Sequence, residues 1–452
     1  MGKSSVMLFA EKLYGKEFNA EIRNDGSDWY EFSVETGGKL NVMAGTERGI
    51  LYAVYDVLNG GKSGSEKPEF SIRGLNPCES LNRHTDEQIV KLIDRMGRWR
   101  MNTLIIHSNY GFMNHKNVIL DETAKRGIEI VHYTYSNLSF MRDIENAHFA
   151  KDENGTPLYE RLECETRLCV NDQEGLRKYA AGVKKYLDEH PDYQRMLFAT
   201  ADGRALCLCP TCRSKNAIEQ WQPVFDVFFD NAYGKRKLEM ISYVQRFSVP
   251  ADTSRIGRLD RLMFDTHIRY PRTPLGVFHE FMKEGYEVEI KMDPRAAQPI
   301  NVYLLDRIKE WRKAFNGKLY VFENLMIQGI FGCPRPNTSI YLEDLKTFRN
   351  AGVDGVVYEC FEPGITPFLK GFDKIAERMW NVNSAYEKDV FESAYLQDGA
   401  SDGDQWTVWP GCEKWDGLRN GYPMAELAVL YYKFLRYPDR KNILEFYGSL
   451  LR

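Results

Sequence analysis

The chain has 452 residues, enough for about three units of ordinary size or for one large α/β barrel with additions. Hydrophobic residues make up 43% and charged residues 27%, and 60 basic side chains stand against 64 acidic ones, for a net charge of -4. That balance excludes a strongly basic nucleic-acid surface, and no apolar run approaches the roughly 20 residues that span a bilayer. The apolar stretch within Met1 to Ala10 is too short for a secretory signal, so the sequence as it stands reads as cytoplasmic. A secreted or periplasmic chain whose signal peptide had been removed reads the same way.

The first segment, 1–69, reads as a small α/β unit. A short helix is expected over 9–14, strands over 29–34 and 39–44, and a helix over 47–58 with apolar residues at 50, 51, 54, 57 and 58. Gly60 and Gly61 stop that helix, and the polar stretch 64–68 reads as a boundary loop. A short amphipathic helix cannot bury its apolar stripe alone, so Leu51, Val54 and Leu58 are expected to pack against the barrel.

Eight β-rich runs come next, at 71–78, 102–109, 128–135, 195–202, 238–245, 262–269, 318–325 and 355–362. Helical stretches alternate with them, at 85–99, 116–126, 172–190 and 341–350. The first opens with Thr85-Asp86-Glu87-Gln88, a capping box, and buries Ile89, Leu92, Ile93 and Met96. Alternating helices and strands imply parallel pairing, and eight such units predict an α/β fold with a closed (β/α)8 TIM barrel over 70–375. A doubly wound open sheet is the alternative, but no glycine-rich phosphate fingerprint follows an early strand. The remainder, 376–452, reads as a helical C-terminal region: helices over 376–394, 423–435 and 442–450, with a Gly-, Asp- and Trp-rich loop over 398–416.

Barrel chemistry sits where the strands end at their C-terminal side. In strand order the residues there are Asn76 and Glu79; His107, Asn109 and Tyr110; His132, Tyr133 and Tyr135; Asp202 and Arg204; Tyr243 and Gln245; Asp265, His267 and Arg269; Glu323 and Asn324; Glu359 and Glu362. This polar, acidic and aromatic face suits a sugar, with carboxylates and amides for hydroxyls and rings for the apolar faces of the pyranose. Glycoside hydrolysis needs two carboxyl groups, or one plus a substrate nucleophile. Glu323, on an aromatic and apolar strand, is the first choice for proton transfer or nucleophilic attack; with no bulge intervening, its side of the strand is expected to point inward or towards the mouth. Asp202 is its partner and Glu359 the competing candidate. His107, Tyr133, Tyr243, His267, Arg269, Asn324 and Glu362 are the expected substrate-binding set. His107, His132 and His267 with Asp265 offer a weaker reading as a catalytic metal site.

Nine cysteines spread over the chain argue against a disulfide scaffold, but three cluster as Cys207-x-Cys209-x-x-Cys212. This spacing suits structural zinc, with Cys169 the first choice for a fourth ligand and Cys164 the second. Unpaired thiols in a reducing compartment are the competing reading. No cofactor is expected for catalysis itself.

The run from Val42 to Leu58, with Gly45 and then Arg48-Gly49-Ile50-Leu51-Tyr52, resembles the small domain before the barrel in family 20 beta-hexosaminidases and family 67 alpha-glucuronidases. Further on, three features are similar to a bacterial group that includes family 163 endo-beta-N-acetylglucosaminidases acting on complex N-glycans. These are Leu168-Cys169-Val170-Asn171-Asp172, Asp202-Gly203 followed by the cysteine run, and the stretch from Asp344 to Val356. The resemblance implies a glycoside hydrolase barrel. Family 20 enzymes place adjacent Asp and Glu after strand four; here that stretch is Thr200-Ala201-Asp202-Gly203, so Asp202 alone carries over.

The expected function is therefore a glycosidase acting on an N-acetylhexosamine- or uronic-acid-containing glycan. A non-catalytic glycan-binding protein on a degenerate barrel and a metal-dependent hydrolase are the alternatives. The implied partner is an oligosaccharide or polysaccharide, with no nucleic acid and no membrane; assembly into a homo-oligomer is left open.

Overall fold

A computed structural model describes residues 3–384 except 17, 78–80, 82–84, 108, 136–138, 142, 159–166, 200–205, 244–246, 271–272, 280–289, 291–292, 325–337 and 360–371. The helices and loop expected over 398–450 lie outside the described residues.

The chain opens with α1 (Ser5–Tyr14), β1 (Asn19–Ile22), β2 (Tyr30–Val34), β3 (Leu40–Ala44), α2 (Glu47–Leu58) and β4 (Ser63–Glu66). Ser4 caps α1, and Gly15 closes it in the left-handed region at φ 73°. The strands form one sheet in the order β1-β3-β2-β4, with β1 parallel to β3 and the other pairs antiparallel. Tyr30 and Phe32 turn into the core while Glu31 and Ser33 face solvent, as period-two alternation requires. The edge strands β1 and β4 carry no apolar alternation, and β4 covers part of the expected boundary loop; pairing with β3 and β2 makes them strands.

Leu51 and Val54 of α2 are fully buried, but Leu58, in its last turn, is 47% exposed and does not dock as expected. The helix reaches its neighbours through Tyr52 instead. The Tyr52 hydroxyl donates to the Met101 carbonyl at 3.3 Å, and its ring meets Trp380 edge-on at 5.5 Å. A buried carboxylate strengthens the same junction. Asp28 accepts from Arg48 Nε at 2.9 Å, Arg73 Nη2 at 2.8 Å and Asn102 Nδ2 at 2.9 Å. Burial opposes its charge, but the Arg48 and Arg73 guanidiniums outweigh that and hold the carboxyl well below the usual range.

The rest of the described chain runs β5 (Ile72–Asn76), α3 (Asp86–Arg98), β6 (Thr103–Ile106), α4 (Asn109–Arg126), β7 (Glu129–Tyr135), α5 (Gln173–Glu189), β8 (Arg195–Ala199), α6 (Ala217–Ala232), β9 (Lys237–Ser242), β10 (Arg261–Asp265), α7 (Ile300–Ala314), β11 (Lys318–Asn324), α8 (Thr338–Asn350), β12 (Gly355–Glu359) and α9 (Phe372–Trp380). Strands β5 to β12 pair in parallel with their sequence neighbours, and β12 closes on β5. This is a (β/α)8 barrel, and each of the eight expected runs coincides with one strand, β9 and β10 beginning one residue earlier than expected. The α6 and α7 helices fall outside the predicted set: α6 carries Pro223 inside it, and α7 starts without a side-chain cap. The last helix among the described residues also differs from expectation, since α9 starts at Phe372 and ends at Trp380 with a turn after it, and 385–394 of the expected helix lie outside the described residues.

Thr85 and Gln88 form the expected capping box on α3: Thr85 Oγ1 accepts from the Gln88 amide at 3.3 Å, and Gln88 Oε1 accepts from the Thr85 amide at 2.9 Å. Thr85→Ala should cost about 1 kcal/mol, read as a lower urea midpoint with unchanged m.

The barrel interior is packed rather than hollow. Arg195 contacts Glu129 at 2.9 Å and Glu239 at 3.1 Å; Arg261 contacts Glu129 at 2.7 Å; the Tyr320 hydroxyl donates to Glu239 at 2.6 Å. Because β7 and β10 stand three strands apart, the Arg261–Glu129 contact crosses the interior. It therefore establishes which face of each strand looks inward. Among the described residues, no helix is long and apolar enough to cross a membrane.

Candidate active site

From the inward set Glu129, Arg195, Glu239, Arg261 and Tyr320, the parallel register fixes the other strands by alternation. Asn76, Tyr133, Tyr135, Asp265 and Glu359 share the inward face at the C-terminal ends. His132, Glu323 and Tyr358 share the outward one.

Two groups form on the inward side. In the first, Glu359 is buried at 4% exposure and pairs in register with Asn76. His107 Nδ1 stands 3.8 Å from Glu359 Oε1, while His107 Nε2 and the Tyr135 hydroxyl are 2.9 Å apart. The His107 ring also lies 4.5 Å from that of Tyr133, so one imidazole is held between a carboxylate and two tyrosines. In the second group, Asp265 accepts from the His267 amide at 2.8 Å and stands 2.9 Å from His267 Nδ1. The Tyr243 ring is 5.8 Å from that of His267. Glu359, His107, Tyr133, Tyr243 and His267 are thus placed around the barrel mouth as strand-end residues.

The expectation for Glu323 does not hold. Its side of β11 faces out of the barrel, under α8, and the side chain is fully buried. Arg269 Nη1 donates to both Glu323 carboxylate oxygens, at 2.9 and 3.0 Å, and Arg269 Nη2 stands 2.6 Å from Asp344 Oδ2 on α8. Burial, with the neighbouring Asp344 charge adding to it, pushes the Glu323 carboxyl up to about 7 against the opposing pull of Arg269. The acid is raised as a general acid would be, but in a sealed ionic cluster. The same cluster occupies Arg269, which also donates to the Thr273 carbonyl at 3.2 Å, and so removes it from the substrate-binding set.

His132 likewise faces away from the mouth. It stacks on Tyr193 at 3.4 Å, and burial pushes its pKa down to about 3, which leaves the ring neutral. This separates it from His107 and His267 and removes the three-histidine metal reading. Asp202 and Glu362 lie outside the described residues, as does the Asn324 side chain. Tyr135 was visible as a strand-end residue, and its two-residue spacing from Tyr133 was the signal that it shares that inward face.

The cysteines do come together. Cys169, Cys207, Cys209 and Cys212 have their sulfurs within 4.8 Å of one another, and among the described residues no other His, Cys, Asp and Glu group is as suited to one metal ion. Cys164 lies outside the described residues.

No protein-family model matches the chain, and no curated protein matches it. Solved structures do match in fold. A GH138 enzyme targeting pectin rhamnogalacturonan II has a TM-score of 0.53 at 11% identity, over 85% of this chain and 50% of that one. The Flavobacterium johnsoniae chitobiase has a TM-score of 0.52 at 13% identity, over 83% of this chain and 63% of that one. A beta-N-acetylhexosaminidase has a TM-score of 0.51 at 14% identity, over 80% and 85%. The chain thus spans about half the length of the first and less than two thirds of the second. At these identities the likeness is one of fold: an eight-stranded parallel barrel of the kind these glycoside hydrolases have.

Proposed function

We propose that the chain is a glycoside hydrolase in which Glu359 carries the proton transfer at the barrel mouth. The observation behind this reading is the inward placement of Glu359 beside His107, with Tyr133 and Tyr135 framing the imidazole. In this reading the roles are these. Glu359 supplies a proton to the glycosidic oxygen, His107 orients the carboxyl, and the tyrosine rings and the Asp265–His267 pair, whose strand β10 stands two strands from β12, grip the sugar. In the closed order β8 stands four strands from β12, so the end of β8 at Ala199 lies opposite β12, which carries Glu359. Asp202 is proposed as the partner, either as second carboxylate or as orienter of an acetamido nucleophile.

For substrate, we infer an N-acetylhexosamine-containing glycan. The sequence motifs similar to family 163 support that choice over a uronic acid. A glycan-binding protein without turnover is the second reading, favoured by the lack of a glutamate beside Asp202. A screen of aryl glycosides and natural oligosaccharides, with the product anomer followed by NMR, separates the two. Release of an N-acetylhexosamine-bearing product supports the proposal; saturable glycan binding with no bond cleavage across the panel overturns it.

A further inference from the structure

We propose that Cys169, Cys207, Cys209 and Cys212 bind one zinc ion as a closed tetrathiolate site that staples the connection after β7 to the connection after β8.

Zinc–sulfur bonds of about 2.3 Å in tetrahedral geometry put ligand sulfurs about 3.8 Å apart. Here Cys169 Sγ lies 3.8 Å from Cys209 Sγ and 4.0 Å from Cys212 Sγ, and all four sulfurs fall within 4.8 Å of one another. Such spacing fits ligands around a common centre. It is well beyond the bonding distance of about 2.05 Å that a disulfide would need. All four side chains are buried, between 0% and 9% exposed, which suits a structural site with no open position.

The surrounding hydrogen bonds prepare the loop for a metal. Gln220, on α6, donates from Nε2 to the carbonyls of Cys207 at 3.1 Å and Cys212 at 3.0 Å, and accepts from the Cys207 amide at 2.8 Å. One side chain thus holds both ends of the cysteine run. The Cys212 and Arg213 amides both donate to the Cys209 carbonyl at 3.0 Å, which folds the last two ligands into a tight turn. The Lys151 amide points at Cys207 Sγ at 3.3 Å, the kind of outer contact that stabilises a thiolate.

Cys169 comes from a separate stretch of chain. Its amide donates to the His148 carbonyl at 2.9 Å, and the Leu208 amide donates to the Lys151 carbonyl at 2.7 Å. The first of these bonds lies within the connection after β7, while the Leu208–Lys151 bond, the Lys151 amide on Cys207 Sγ and the sulfurs link the two connections among the described residues, so an ion would add a strong cross-link. Its binding would require four deprotonated thiols and release their protons.

The test is elemental analysis of the purified full chain, followed by cobalt substitution and competition with a chromogenic zinc chelator. The expected result is one zinc per chain, with a cobalt form showing thiolate-to-metal charge transfer and tetrahedral d–d bands. Cys169→Ser should lose part of that charge transfer. Gln220→Ala, which keeps all four ligands, should weaken zinc binding by about 10- to 100-fold. Competition on the unsubstituted protein gives the affinity even where Cys169→Ser fails to fold. Iron in place of zinc, no bound metal after growth with added zinc, a disulfide among the four, or unchanged affinity in both variants would each overturn the site.

Discussion

Glu359→Gln should lower turnover by on the order of 10²-fold or more on a substrate with a poor leaving group, while leaving the fold intact. Glutamine keeps the shape of the side chain and its place opposite Asn76 but has no acidic proton to give. The loss should shrink on an activated aryl glycoside, where departure needs little protonation, and azide should restore part of the rate if Glu359 is the acid/base of a retaining mechanism. His107→Gln should lose less, and mainly through a changed pH profile, because His107 stands beside Glu359 at 3.8 Å and acts through it. Glu323→Gln, measured on the same substrate well below its melting temperature, should keep turnover within a small factor of the parent. The reverse pattern, an active Glu359→Gln and a folded but inactive Glu323→Gln, would return the catalytic role to Glu323.

The second large effect is on stability. Arg269→Met should destabilise the protein by about 3–5 kcal/mol, since it strips the cation from two buried carboxylates and leaves Glu323 and Asp344 without it. The loss is read as a fall in the urea midpoint. Glu323 also makes stability depend on pH. Its folded-state carboxyl is raised to about 7 by burial and by Asp344, which is itself raised by burial. A carboxyl raised on folding contributes stability that is full below the unfolded value and is lost as pH climbs through the folded one. The parent should therefore weaken between about pH 4.5 and 7 through this group, and Glu323→Gln should flatten that slope. Equal slopes in the two proteins would show that the cluster holds no proton in that range.

Much of the fold was legible because its signals are local. The capping box at Thr85 and Gln88, the stripe of Ile89, Leu92, Ile93 and Met96, and the helix 47–58 ahead of Gly60 and Gly61 depend on neighbours within a turn or two. Eight short β-rich runs separated by helices imply parallel pairing before any contact is known. The strands β1 and β4 were not legible, since four residues without an apolar alternation become a strand only when a partner offers its edge.

The candidate site divides in the same way. The amino-acid sequence by itself determined where the eight strands lie, to within a few residues at their C-terminal ends, and, through the two-residue period, which residues share a face: Tyr133 with Tyr135, and Val321 with Glu323. It also determined that three cysteines crowd one loop. It could not say which face looks inward, because alternation has two phases and only barrel closure selects one. The Arg261–Glu129 contact across the interior makes that selection, sending Glu359 to the mouth and Glu323 under α8. Tertiary structure likewise decided that Cys169 meets Cys209 and that His132 stacks on Tyr193. Those contacts join residues about 40 and 60 positions apart, a separation at which pairing is governed by how whole elements pack rather than by any short-range preference.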